Sequence, residues 1–311
     1  MRNHTAITTF ILLGLTDDPN LQILLFVFLL ITYMLSIIGN LIILLLTSVD
    51  SRLKTPMYYF LQNFSILEIL FTSVTIPRFI YSLATGDQTI AYYTCAFQLF
   101  FGYLFGVTEF FLLATMSYDR YVAICKPLHY MTIMSHRVCK RLYSFCWFIT
   151  LLILIPLFIL VMGLEFCDCN ALDHFICDAN AFISISCSNT QFLEKLVMIC
   201  AAFILIATLM FVVWSYTCII QTILRFPSAQ QRKKAFSTCS SHMIVVSITY
   251  GSLFFIYIKP TAKDEMSINK GVTLLATSIS PMINPFIYSL RNKQVIQAFN
   301  DLVKKLLFSR H

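Results

Sequence analysis

Charge is what this sequence has least of: Asp, Glu, Lys and Arg make up 12% of its 311 residues, against roughly a quarter in soluble domains. That scarcity, beside 58% hydrophobic residues, excludes an ordinary soluble chain and points to a bilayer as solvent. A glycine-rich phosphate loop and an HExxH-type zinc motif are both missing, so no catalytic apparatus is expected and the protein is read as not an enzyme. Without Gly/Ser linkers, low-complexity tracts or repeats, residues 1–311 are expected to form one membrane domain. The N-terminus has no basic segment leading into a short apolar run and a small-residue cleavage site; its first apolar run, from about Leu21, is as long as a bilayer is thick and is read as an uncleaved helix.

Long uncharged stretches are what the sequence does have. No charge occurs between Asp18 and Asp50, Arg141 and Glu165, Lys195 and Arg225, or Lys234 and Lys259. Gly271–Leu290 is also free of charge, while Met57–Pro77 contains only Glu68 and Ala96–Tyr118 only Glu109. A helix needs about 20 residues to cross a hydrocarbon core of about 30 Å. The expected fold is therefore an all-α membrane protein, a seven-transmembrane helix bundle with spans near 21–49, 57–79, 96–118, 140–162, 196–224, 235–258 and 271–290.

Lys and Arg in short loops set the orientation. With the N-terminus extracellular and the C-terminus cytoplasmic, sixteen of the 22 lie inside and six outside. The net charge of +7 is thus explained by topology rather than by nucleic acid. Residues 163–195 form the one long loop, polar and cysteine-containing, expected to fold over the outer mouth as a lid. Residues 292–308 place Val295, Phe299, Leu302, Val303 and Leu306 on one helical face, which reads as a short amphipathic eighth helix at the interface.

Six of the eleven cysteines lie in or near spans or on the inner side, where thiols stay reduced. The outer five are Cys95, Cys167, Cys169, Cys177 and Cys187, where disulfides are expected, and spacing alone leaves their pairing open. A zinc or copper site from Cys167, Cys169, His174 and Cys177 is the chemical alternative. Asn3-His4-Thr5 is a glycosylation sequon on the outer tail; the same pattern at Asn63 lies inside a span, out of reach of lumenal glycosylation.

Three groups of residues carry mechanism. Asp119 and Arg120, beside Tyr121 at the inner end of the third span, can form an ion pair that releases Arg120 when packing changes; the plain alternative is an arginine anchored at lipid headgroups. Pro281 and Pro285 must kink the seventh span, with Asn284 available to the freed backbone groups. Glu68 and Glu109 are acids within spans, which usually face a polar cavity and could share a cation or proton with Asn284. That pair also supports an ion-coupled transporter, although related halves with paired broken helices are not seen.

The stretches Met116–Cys125, Leu53–Phe60, Lys234–His242 and Pro281–Asn292 together resemble the vertebrate olfactory (odorant) receptors within the rhodopsin-like G-protein-coupled receptors. Glu165–Asn170 further resembles family 6, subfamily C. The resemblance implies that Asp119, Arg120 and Tyr121 form a cytoplasmic switch, with Arg120 reaching Tyr216 and Tyr288 in the active state. Glu68, Glu109 and Asn284 would be the central polar site, holding a sodium ion or proton and no other cofactor or metal; the family commonly has Asp at position 68. Disulfides Cys95–Cys177 and Cys167–Cys187 are implied, with Cys169 an addition to the family pattern.

A small volatile ligand is expected in the outer half of the bundle, lined by Tyr103, Gly106, Val107, Phe110, Tyr250, Leu253, Phe254, Tyr257 and Thr277. Without an acid on the outer half of the third span, the pocket reads as apolar with Tyr and Thr hydroxyls, and an amine salt-bridged there is not expected. The implied partner is a heterotrimeric G protein of the olfactory stimulatory type at the plasma membrane, raising cyclic AMP. A rhodopsin-like receptor for a small metabolite or peptide is the alternative within the class.

Overall fold

The computed structural model describes residues 8–166, 170–258, 265–290 and 292–308, with the side chains of 238, 253–258, 265–269, 290, 293 and 306–308 outside the description. The helices are α1 (Pro19–Val49), α2 (Pro56–Thr85), α3 (Tyr92–Cys125), α4 (Tyr130–Ile133), α5 (His136–Met162), α6 (Ala179–Ser184), α7 (Gln191–Leu224), α8 (Ala229–Ile258), α9 (Glu265–Leu290) and α10 (Lys293–Phe308). Among them α1, α2, α3, α5, α7, α8 and α9 are the seven long ones. The first five of these are, by length and composition, apolar enough to cross a membrane. α8 packs on α3, α7 and α9, and α9 packs on α1 and α2, which completes the bundle.

Most helices run past the apolar stretches that announce them: α3 begins at Tyr92 and ends at Cys125, a turn or more beyond the expected span 96–118 on each side. Charge disqualifies a residue from the hydrocarbon, not from the helix. Start and stop signals are local: the Asp18 side chain accepts from the Asn20 amide at 2.9 Å with Pro19 following, and Gly86 closes α2 in the left-handed region (φ 72°) that favours glycine. Gly39 has a different reason. A Cβ there would stand 2.8 Å from Pro285 Cγ, so the missing side chain lets α1 reach the proline-containing part of α9.

A three-stranded sheet at one end is an addition that no helical pattern foretold. β1 (Thr9–Leu12) lies between β2 (Thr89–Ala91), to which it is antiparallel with Phe10 opposite Ile90, and β3 (Ala171–Leu172), to which it is parallel with Leu12 opposite Leu172. Phe10 is fully buried, its ring 5.0 Å from Phe182 and 5.5 Å from Phe166. The segment before α1 is thus part of the covering layer, and the loop after α5 folds over the bundle with it. This end is called the lid end below.

α10 lies at the opposite, tail end. It turns Val295 and Ala298 into the core and leaves Phe299 and Val303 exposed, so the apolar stripe divides between bundle and surroundings. The Asn292 amide donates to the Tyr58 hydroxyl at 2.8 Å, and that hydroxyl donates to Gln294 at 2.8 Å. Arg52 bridges Asp50 and Asp301 at 2.6 and 2.7 Å, fastening the α1–α2 turn to α10; Arg52 holds the Asp50 carboxyl down at about 2.

Candidate functional site

At the tail end, Asp119 and Arg120 occupy the last turns of α3 and are both buried. Arg120 Nε donates to Asp119 Oδ2 at 3.0 Å, and a second guanidinium nitrogen engages the same oxygen. Tyr130 on α4 donates its hydroxyl to Asp119 Oδ1 at 2.8 Å. Burial and the Asp119 charge both push the Tyr130 phenol above its ordinary range, so it stays a donor. Both Asp119 oxygens are thereby engaged, one by the cation to be restrained and one by a neutral clamp.

Tyr121 does not join them: its ring packs 5.2 Å from Trp214, with Lys126 above it. Tyr216 is held by His242, the last residue of the Lys234–His242 stretch, to which its sequence neighbours assign no mechanistic role. Its hydroxyl lies 2.5 Å from His242 Nδ1, and His242 Nε2 lies 3.1 Å from the Leu113 carbonyl oxygen. A carbonyl only accepts, so Nε2 carries the proton and Nδ1 accepts from Tyr216. One imidazole on α8 thus ties α7 to α3, about two turns before Arg120. Tyr288 is buried against Phe64, its hydroxyl without a hydrogen bond among the described residues.

Of the three central polar residues, Glu68 and Asn284 are in direct contact. Asn284 Nδ2 donates to Glu68 Oε1 at 2.5 Å, both residues being 1% exposed. Glu68 Oε2 and Asn284 Oδ1 have no partner among the described residues. Glu109 on α3 is partly exposed within the bundle and in electrostatic range of Glu68. Two orphaned acceptors beside a second carboxylate make a hard, oxygen-rich site that suits a small cation or a shared proton. Close by, Asn40 on α1 donates to the Pro281 carbonyl of α9 at 3.4 Å.

At the lid end, Cys95 and Cys177 are disulfide-bonded, joining the first turn of α3 to the lid. Cys177 is therefore unavailable as a metal thiolate. Cys187 is also disulfide-bonded, while Cys167 and Cys169, like Asn3, lie outside the described residues. Gln98 strengthens the attachment: Oε1 accepts from the Cys177 amide at 2.9 Å and Nε2 donates to the Val74 carbonyl at 3.0 Å. Below it Tyr103, Gly106, Val107 and Phe110 share one face of α3 and keep partial exposure, with Phe110 5.3 Å from the Tyr250 ring. Thr277 is buried and donates to its own helix at Thr273. The side chains of Leu253, Phe254 and Tyr257 lie outside the description.

His174 stacks on Phe175 and accepts the Ile176 amide on Nδ1 at 3.2 Å. Burial holds its imidazole below the ordinary range, Lys270 adding to the effect and Asp178 and Asp173 opposing it. Folded His174 therefore binds fewer protons than the unfolded chain does, and stability falls as pH drops below about 6.5. Thermal unfolding of the purified protein should give a lower midpoint at pH 5.5 than at pH 7.5. His174→Asn, which keeps an acceptor for the Ile176 amide, should flatten that difference.

Comparison with known proteins gives a consistent result. The family profile described as olfactory receptor matches residues 28–309. Human Olfactory receptor 6C2 and Olfactory receptor 6C68 are each 64% identical over 308 residues, covering 99% of both chains. The crystal structure of squid rhodopsin superposes with a TM-score of 0.73 at 19% identity, over 92% of this chain and 81% of the other.

Proposed function

The chain belongs to the olfactory receptor family and is a multi-pass membrane receptor for odorants; from that premise we propose how it signals. The N-terminus and lid face outward at the plasma membrane, and a small volatile ligand binds beneath the lid against the Tyr103–Phe110 face of α3. Ligand binding favours a second arrangement of the bundle, as a population shift. In that arrangement Arg120 leaves Asp119 and swings towards Tyr216 and Tyr288, the His242 tie breaks, and a cleft opens among the basic loops for a G protein of the olfactory stimulatory type. Cyclic AMP then rises. Glu68, Asn284 and Glu109 hold a sodium ion or a proton that stabilises the resting form, which is where two orphaned acceptors find their partner.

The observation that carries this reading is the buried Asp119–Arg120 pair clamped by Tyr130. A cation kept out of water at the edge of a bundle, with one partner and a neutral clamp, is a latch rather than a headgroup anchor. The test is intracellular cyclic AMP in cells expressing the chain with the olfactory stimulatory G protein, across an odorant panel, beside Arg120→Ala at matched surface expression. A dose-dependent rise that the variant loses supports the mechanism. Silence at verified surface expression would overturn the coupling, and an unchanged response in the variant would remove Arg120 from it.

A further inference from the structure

The lid adds something to the ligand site that α3 lacks. From Tyr92 to Thr108 α3 carries no acid, yet Asp178, next to the disulfide-bonded Cys177, sets a carboxylate at the top of the Tyr103–Phe110 face. Its Oδ1 accepts the Asn180 amide at 2.9 Å, capping α6, and its Oδ2 accepts the Tyr103 hydroxyl at 2.8 Å. Those bonds fix its position and use about two of the four lone-pair sites of a carboxylate. Among the described residues no cation forms a salt bridge with it: Lys270 pairs with Asp173, and His174 accepts on Nδ1 as a neutral imidazole does. Among the described residues, then, the charge of Asp178 is left to a ligand.

At the other end of the face, two turns and about 10 Å lower, the buried Tyr250 hydroxyl has Thr208 as its polar neighbour and no hydrogen bond of ordinary geometry among the described residues. The wall between is aromatic and aliphatic. We propose that Asp178 is a specificity-determining residue that selects ligands by head group. Hydroxyl and amine heads on an apolar body donate to it, and carboxylates of the same length are repelled. This deepens the odorant-receptor reading above and rests on it; to the expected apolar pocket with Tyr and Thr hydroxyls it adds an acid that comes from the lid and not from α3.

The test uses the full chain in lipid nanodiscs and three probes of equal length, 1-octanol, octylamine and octanoate, read as ligand-induced shifts in the unfolding midpoint. Octanol and octylamine are expected to bind at least about tenfold more tightly than octanoate, because its carboxylate would stand against the like charge of Asp178. Asp178→Asn keeps the α6 cap and an acceptor for Tyr103 while removing the charge. In that variant octylamine should weaken about tenfold and octanoate should approach octanol. Equal binding of octanoate and octanol by the unaltered protein, no shift with any probe, or an unchanged order in Asp178→Asn would each overturn the proposal. If that variant does not fold, Tyr103→Phe serves: the carboxylate stays, so rejection of octanoate must persist. The readout contains no G protein, so lost ranking with intact odorant-driven cyclic AMP sinks this inference alone, and intact ranking with silent cyclic AMP sinks only the coupling.

Discussion

Asp119→Asn should raise ligand-independent cyclic AMP strongly. The variant keeps an acceptor for Tyr130 and nearly the same volume, but Arg120 loses its charged partner inside the bundle. A charge-assisted hydrogen bond contributes about 1 kcal/mol beyond a neutral one, and Arg120 makes two to Asp119, about 2 kcal/mol together. If the active arrangement holds about 1% of the resting population, losing that bias raises it to roughly 20%. Tyr130→Phe leaves the ion pair and removes only the clamp, so its effect should have the same sign and be severalfold smaller. Basal cyclic AMP per surface receptor measures both. A basal level unchanged in Asp119→Asn would mean that the pair is an anchor, and the latch would have to be sought in the His242 tie between Tyr216 and Leu113.

The difference between those two elements shows what can be read from a sequence of this kind. Asp119 and Arg120 are adjacent, and an acid and base side by side at a bilayer edge have few other reasons to be there. His242 has no such neighbour. Its partners are 26 and 129 residues away, and only the crossing of α3, α7 and α8 makes its position matter. Glu68 and Asn284 are 216 residues apart but were legible, because an ionisable or amide group in hydrocarbon must find a partner and few candidates exist.

The same contrast holds for the fold. The seven long helices follow from the length of uncharged runs, since lipid leaves the backbone little choice but to satisfy itself within each helix. The sheet at the lid end follows from no such rule. Thr9–Leu12 is a strand only because residues 89–91 and 171–172 lie on either side of it, and strand pairing between distant short segments leaves almost no periodic trace. The Tyr103–Asp178 bond belongs to this group. Asp178 was visible as a lid residue, but its arrival over α3 depends on how the lid folds back across the bundle.

That fold-back is the subject of the second large effect. Cys95→Ser, or Cys177→Ser, should release the lid and remove most receptor from the cell surface. The disulfide spans 82 residues, and a crosslink closing a loop of that size contributes about 4 kcal/mol by restricting the open chain. What then holds the lid is the hydrogen bonds of Gln98, Tyr103 and β3, about 1 kcal/mol each, and the aromatic layer around Phe10, which are not expected to replace it. Hydrogen exchange in purified protein should rise across 170–186 and in β1, because β3 pairs with β1 and the two strands must loosen together. α5 and α7 should stay protected. Cys200→Ser, which alters a free cysteine of α7, should leave surface level and exchange unchanged. If exchange rises in α3 as well, the crosslink is holding the bundle and not only its cover. If nothing rises, the sheet and the aromatic layer around Phe10 suffice to keep the lid down, and Asp178 would stay over Tyr103 without the disulfide.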